Sequence, residues 1–342
     1  MFVISDPGRD QDDEDVLVLL GLLQRTGYVD LRGVVANLAP ARQRARLAKG
    51  TLALVGAPDV PVGVGTACGQ PADDELGYQF DVDYLSDDLQ PGDVLLDAVL
   101  DDAPRHSLTL LLISGLTDAL AAVRRDPRRF EAAVDHVVIL GGAYVEAGRI
   151  RPDPTAQNNA FDVDAAEGLY AELQALGVRT TTVTRHAAVA AAVDRSVYDA
   201  MAATGHPVGR RLLAAQRQAL EELWSRANLP ADHPGRRGLP ARCDRHWFTH
   251  TFCGGEGGDR AATDPMWDLV RTLNLYDPCA LLAAIPDFAD VFFSPIRVLV
   301  DDVEHAIVGL SVRQHGLRDP AALADELTRL LVESLRTSLP VR

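Results

Sequence analysis

Residues 4–20 read ISDPGRDQDDEDVLVLL, and this stretch decides the fold. Phe2–Ser5 is a short aliphatic run of the kind found in strands buried on both faces. Asp6-Pro7-Gly8 supplies a tight turn, and aliphatic residues at helical spacing follow from Val16. Strand, turn and helix in that order open a βαβ unit. Further strands are expected at Leu31–Val35, Val60–Val64, Leu108–Ile113, Val137–Leu140 and Thr181–Thr184. Amphipathic helices are expected between them at Asp15–Gln24, Arg42–Val55, Asp93–Asp101, Leu116–Arg124 and Ala165–Leu176. This alternation predicts an α/β fold with an open, doubly wound, mostly parallel sheet and flanking helices. Ligands of such sheets bind beyond the carboxyl ends of the strands, which is where Asp6 falls.

Working outward, a long helix is expected at Val208–Arg226, followed by HPGRRGLPARCDRHWFTHTFCGGEGG. Loops of this length in compact domains are usually functional or disordered. The expectation is a single domain over 1–342 with a cap-like insertion at about 204–262. The tail reads as strands at Arg297–Val300 and Ala306–Val312 and a helix at Pro320–Thr337. Forty-seven percent hydrophobic residues suffice for a sizeable core. No run approaches the roughly 18 apolar residues of a membrane span, and the amino terminus lacks a basic n-region, so a cytoplasmic location is expected. A net charge of -16 argues against nucleic acid or an anionic membrane as partner and favours a cation or a small molecule. The four cysteines, Cys68, Cys243, Cys253 and Cys279, lack CxxC spacing and read as free thiols. Lys49, the one lysine, reads as a residue of a helix surface.

Asp6, Asp10, Asp12, Asp13, Glu14 and Asp15 crowd within ten positions and would repel one another unless solvated or neutralised. A hard cation taking 6–8 oxygen ligands, as calcium does, relieves that repulsion. The bland alternative is an acidic first turn that complements a helix dipole. The spacing is not that of an EF-hand, a P-loop or a dinucleotide fingerprint.

The order of landmarks resembles the inosine–uridine-preferring nucleoside hydrolase family. After the Asp-Pro-Gly loop come GVVANLAP with Asn37, DVPVGVG, LLLISGLTDAL, VVILGGAYVEAG, NNAFDVDAA and LYDPCALL, spanning residue 1 to about 285. The resemblance implies a calcium-dependent hydrolase of the N-glycosidic bond of a ribonucleoside-like substrate, assembled as a homodimer or homotetramer. It makes Asp6 both a calcium ligand and the general base toward the attacking water. Asp13, the Ile113 carbonyl and Asp277 would complete the ligands, Asp12 would bind the ribose 2′-hydroxyl, and Asn37 and Asn158 would contact the ribose region. The loop here is two residues longer than the family pattern, so Asp10 can stand in for Asp12 or Asp13 as a ligand.

The chemistry is coherent. N-glycoside cleavage passes through an oxocarbenium-like sugar and needs a base, a positioned water and a grip on the sugar hydroxyls. The chain departs from the family on the leaving-group side. Tyr276 stands where a histidine is usual, and a tyrosine with an ordinary pKa of about 10 is a poorer acid at neutral pH. His246, beside Trp247, is the first choice of replacement acid, and His186 the second. Ala156 replaces a glutamate, and Arg149 replaces an asparagine in a way that permits an anion there. Two alternatives follow: cleavage of another ribosyl bond in a modified nucleoside or nucleotide, or a catalytically impaired calcium and ribose binder.

Overall fold

The computed structural model describes residues 1–8, 11–68, 80–236 and 239–339. In chain order the elements are β1 (Phe2–Ser5), α1 (Asp12–Arg25), β2 (Gly33–Ala36), α2 (Ala41–Leu54), β3 (Val62–Val64), β4 (Gln90–Pro91), α3 (Gly92–Asp102), β5 (Leu108–Leu112), α4 (Thr117–Arg125), α5 (Pro127–Ala133) and β6 (Val134–Gly141). A hairpin of β7 (Ala143–Glu146) and β8 (Arg149–Pro152) follows, then α6 (Gln157–Ala160), α7 (Val163–Leu176), β9 (Arg179–Thr184), α8 (Arg185–Ala190), β10 (Val193–Asp194) and α9 (Ser196–Ala203). The chain continues through α10 (Pro207–Ala227), α11 (Arg245–Phe252), β11 (Thr272–Leu273), α12 (Tyr276–Ala283), α13 (Pro286–Phe292), β12 (Ile296–Val300), β13 (Val303–Val308) and α14 (Pro320–Thr337).

One sheet of nine strands, in the order β12-β13-β9-β6-β5-β1-β2-β3-β4, organises the molecule. Every pairing in it is parallel except β12 with β13. Alternate residues of each strand feed two cores. Val3, Val34, Leu111 and Val138 pack with α1, α12 and α14 on one face. Phe2, Ile4, Val35, Leu110 and Val137 pack with α3, α4 and α7 on the other. Both faces are therefore covered, which is why the strands read as continuous aliphatic runs. Helix α1 is itself buried all round from Val16 to Leu23, so it lacks the polar stripe of a surface helix.

The doubly wound architecture agrees with the sequence reading, with several local differences. The strand expected at Ala306–Val312 instead runs Val303–Val308, because Asp301 and Asp302 take left-handed backbone angles (φ 49° and 67°) and close a hairpin with β12. The Pro/Gly/Arg-rich segment contains the helix α11, capped at its start by the Asp244 carboxylate, which accepts from the Trp247 N–H (2.8 Å). Lys49 is not a surface residue. It is buried, donates to the carbonyls of Pro58 (2.9 Å) and Val60 (3.1 Å), and pairs with Asp88. Among the described residues no helix is long and apolar enough to cross a membrane.

Candidate active site

Strand β1 lies between β2 and β5. The chain winds from β1 toward β4 on one side and resumes at β5 on the other, so the carboxyl ends of β1 and β5 flank the point where the winding reverses, the usual position of a ligand crevice. Asp6 follows β1 there. Ile113 follows β5 and is held alongside by its N–H, which donates to the Ile4 carbonyl (2.9 Å). A cavity of about 480 Å³ opens at this point, and Asp6, Asp12, Asp13, Ile113, Asn158 and Asp277 all line it.

The structure sorts the crowded acids. Asp13 is buried, and one of its oxygens accepts from the Ser5 hydroxyl (2.7 Å) and the Asp6 N–H (2.8 Å). Burial first, then the charges of Asp6 and Asp12, push its carboxyl well above the usual carboxylate range. Asp12 accepts from the N–H groups of Tyr276 (3.1 Å) and Asp277 (3.4 Å), so it caps the first turn of α12 from across the site. Ligand atoms of Asp12, Asp13 and Asp277 lie within 4.8 Å of one another. Asp6 approaches the buried Arg44, whose guanidinium donates to the Asp6 and Pro7 carbonyls and so pins the turn.

Glu14 and Asp15 point elsewhere. Glu14 is fully buried against Arg211 of α10 and accepts from the hydroxyls of Thr51 (2.8 Å) and Tyr84 (3.2 Å). Asp15 accepts from Tyr198 (2.7 Å), and burial raises its pKa well above the ordinary value. Asp10 lies outside the described residues.

The remaining expected residues divide as well. Asn158 lines the cavity and donates to the Leu140 carbonyl (3.1 Å). Tyr276 and Trp247 line it too, and the Tyr276 hydroxyl accepts from Asn274 (3.2 Å). Asn37 does not: it is buried, donating to the Gly115 carbonyl (2.9 Å) and Asp118 (2.8 Å), and it shapes the loop that follows β5. Arg149 is also outside the lining, because hairpin register sets it opposite Glu146 at the exposed tip, where it pairs with Asp301 (3.3 Å). His246 is exposed on α11 and lies against His250, with ring centroids 3.8 Å apart and planes tilted by 39°; among the histidines of the described residues, His186 is the one that lines the cavity. Burial and the neighbouring Arg185 lower the His186 pKa. Arg185 and Arg226, not singled out from sequence, line the same space together with Arg242 of the segment that holds His246 and Trp247. The available signal was positional: Arg185 directly follows a parallel strand.

These features define an open α/β protein with a cluster of carboxylates that could hold a cation at its topological switch point. The model of the inosine-uridine preferring nucleoside hydrolase family matches residues 3–317, and the chain belongs to that family. Uridine nucleosidase 1 of Arabidopsis thaliana is 26% identical over 206 residues, which are 53% of this chain and 57% of the plant protein, so the chain spans little more than half of that relative. The structure of the type III effector protein XopQ complexed with adenosine diphosphate ribose is similar at a TM-score of 0.82, with 30% identity over 98% of this chain and 93% of that one. The purine-preferring ribonucleoside hydrolase of Gardnerella vaginalis shares the fold at a TM-score of 0.60 and 15% identity, over 98% of this chain and all of that one.

Proposed function

We propose that the chain is a calcium-dependent hydrolase of the N-glycosidic bond of a ribonucleoside-like substrate, releasing base and ribose. The observation that carries this reading is the Asp12, Asp13 and Asp277 cluster within 4.8 Å on the cavity wall of a nucleoside hydrolase family member. The donor set fits a hard dication: all-oxygen, partly buried, and containing in Asp13 a carboxyl whose charged form is disfavoured until positive charge arrives. Asp6, Asp13, Asp277 and the Ile113 carbonyl would hold the ion, with Asp12 or Asp10 adjoining. When bound, calcium supplies positive charge that orients the ribose diol and acidifies water beside it.

The chain's own residues do the rest. Asp6, at the mouth of the turn fixed by Arg44, takes the proton of the attacking water. Asn158 presents its amide to the ribose hydroxyls, while Trp247 and Phe252 flank the base. Tyr276, whose hydroxyl accepts from Asn274, lines the cavity and is the proposed donor toward the leaving base. The segment 204–262 serves as a cap within a single domain, and the assembly is a homodimer or homotetramer. Asp13→Asn tests the cation site: it should abolish calcium binding by calorimetry and reduce turnover below detection. A variant that still binds calcium with wild-type affinity would refute the assignment.

A second reading keeps the scaffold and changes the substrate to another ribosyl bond, in a modified nucleoside or nucleotide. The likeness to an effector bound to adenosine diphosphate ribose supports it. Turnover of such a compound, with none of uridine, inosine or adenosine, would select it.

A further inference from the structure

Helix α11 has two unlike faces. Phe248 and Phe252 are buried and Trp247 lines the cavity, while His246 and His250 stand exposed one turn apart on the other side. Side chains one turn apart are neighbours on a helix surface, and the two imidazole centroids lie 3.8 Å apart with planes tilted by 39°. The charged groups beside them in sequence are engaged elsewhere. Asp244 caps the helix by accepting from the Trp247 N–H, Arg245 donates to the Arg260 carbonyl, and Glu256 pairs with Arg271. The pair is therefore a nitrogen-donor patch, unlike the all-carboxylate cluster in the cavity.

Hydrogen bonding sets up the His250 ring as a ligand. Its Nδ1 lies 2.9 Å from the His246 carbonyl, and because a carbonyl only accepts, Nδ1 carries the proton and Nε2 the lone pair. Imidazoles that bind metals are usually oriented in this way, by the other ring nitrogen donating to a carbonyl or carboxylate. There is room at Nε2. Gly255 folds back onto the helix through its N–H, which donates to the Thr249 carbonyl (2.9 Å), and even a β-carbon added there would stand 3.7 Å from Nε2. The His246 ring has no hydrogen-bond partner among the described residues, so both of its nitrogens are open to an ion. Two nitrogens bound to one tetrahedral ion at about 2.0–2.1 Å stand about 3.3 Å apart, close to the present separation of the rings.

We infer that His246 and His250 form a two-imidazole site for a divalent transition ion such as Zn2+, Ni2+ or Cu2+ on the outer face of α11, with water completing the coordination. Imidazole suits these ions, whereas calcium and magnesium take oxygen ligands, so the site is separate from the carboxylate cluster. An ion bridging one turn also ties down a helix of eight residues, too short to be stable by itself, whose opposite face presents Trp247 to the cavity. The imidazole expected from the sequence to serve inside the cavity thus has a use outside it.

Ni2+ titrated by calorimetry into the full chain, stripped of transition ions and held in saturating calcium, tests this. A single equivalent should bind, and His246→Ala or His250→Ala should each weaken it at least about tenfold, because one nitrogen is left. Both positions are exposed and alanine favours the helix, so the variants keep the fold. His106→Ala, at an exposed histidine elsewhere, should leave the affinity unchanged. Electron paramagnetic resonance of the protein with one equivalent of Cu2+ should show coupling to two imidazole nitrogens, falling to one in either variant. Absence of Ni2+ binding, an affinity unchanged in His246→Ala/His250→Ala, or displacement of Ni2+ by excess calcium overturns the proposal. Coupling to a single nitrogen in the unmutated protein does so as well.

Discussion

Arg211→Met should destabilise the protein by about 3 kcal/mol and weaken its cation site. The guanidinium faces a Glu14 side chain with no solvent exposure, and removing one partner of a buried ion pair costs about 3–5 kcal/mol, because the other charge is stranded. Thr51 and Tyr84 still donate to Glu14 in the variant, and two surviving hydrogen bonds of about 1 kcal/mol each hold the loss to the lower end. Arg211→Met/Glu14→Gln removes the stranded charge while Thr51 keeps an acceptor, so the double variant should recover about 2 kcal/mol. Arg211 also donates to the Gln11 side chain (2.7 Å), next to Asp12, and sits on the helix that carries Leu220 and Arg226 over the cavity. Calcium affinity should therefore fall in the single variant. Urea unfolding of wild type, both single variants and the double, each with chelator, completes the cycle. A cost below about 1 kcal/mol for Arg211→Met, or simple additivity in the double, would refute the reasoning.

Two more outcomes follow from the packing. A β-carbon at Gly50 of α2 would collide with the Tyr84 carbonyl, so Gly50→Ala should lose about 1–3 kcal/mol despite the better helix propensity of alanine; an unchanged urea midpoint would contradict that. Burial lowers the His136 pKa to about 4. The unfolded chain then binds more protons than the folded one below the ordinary value of 6.5, so this contribution to stability is full above that pH. It falls by up to about 3 kcal/mol as pH drops toward 4. His136→Gln should flatten the acid limb of the stability profile; an identical limb would count against the assignment.

The fold was legible because its sheet is covered on both faces. Buried strands such as β1 and β5 leave unbroken aliphatic runs, and the Asp-Pro-Gly turn marks the carboxyl end of the first. The crowding of the acidic loop was legible in the sequence, yet the sequence could not divide its members. Asp12 and Asp13 face the cavity while Glu14 and Asp15 turn to Arg211 and Tyr198, and a helix buried all round offers no apolar stripe from which that rotation can be read. Ile113 and Asp277 are far from the loop in sequence, and only family resemblance could join them to it. His246 and Arg149 were misleading for local reasons. The eight-residue helix α11 turns Trp247 inward and leaves His246 outside against His250, and the hairpin register carries Arg149 to an exposed tip.

Ribose release from uridine, inosine and adenosine, followed before chelation, after chelation and after calcium is returned, tests the central claim most directly. Ribose and free base should appear in equal amounts from at least one nucleoside, cease with chelator and resume with calcium. Undiminished release after complete removal of divalent ions would contradict the account.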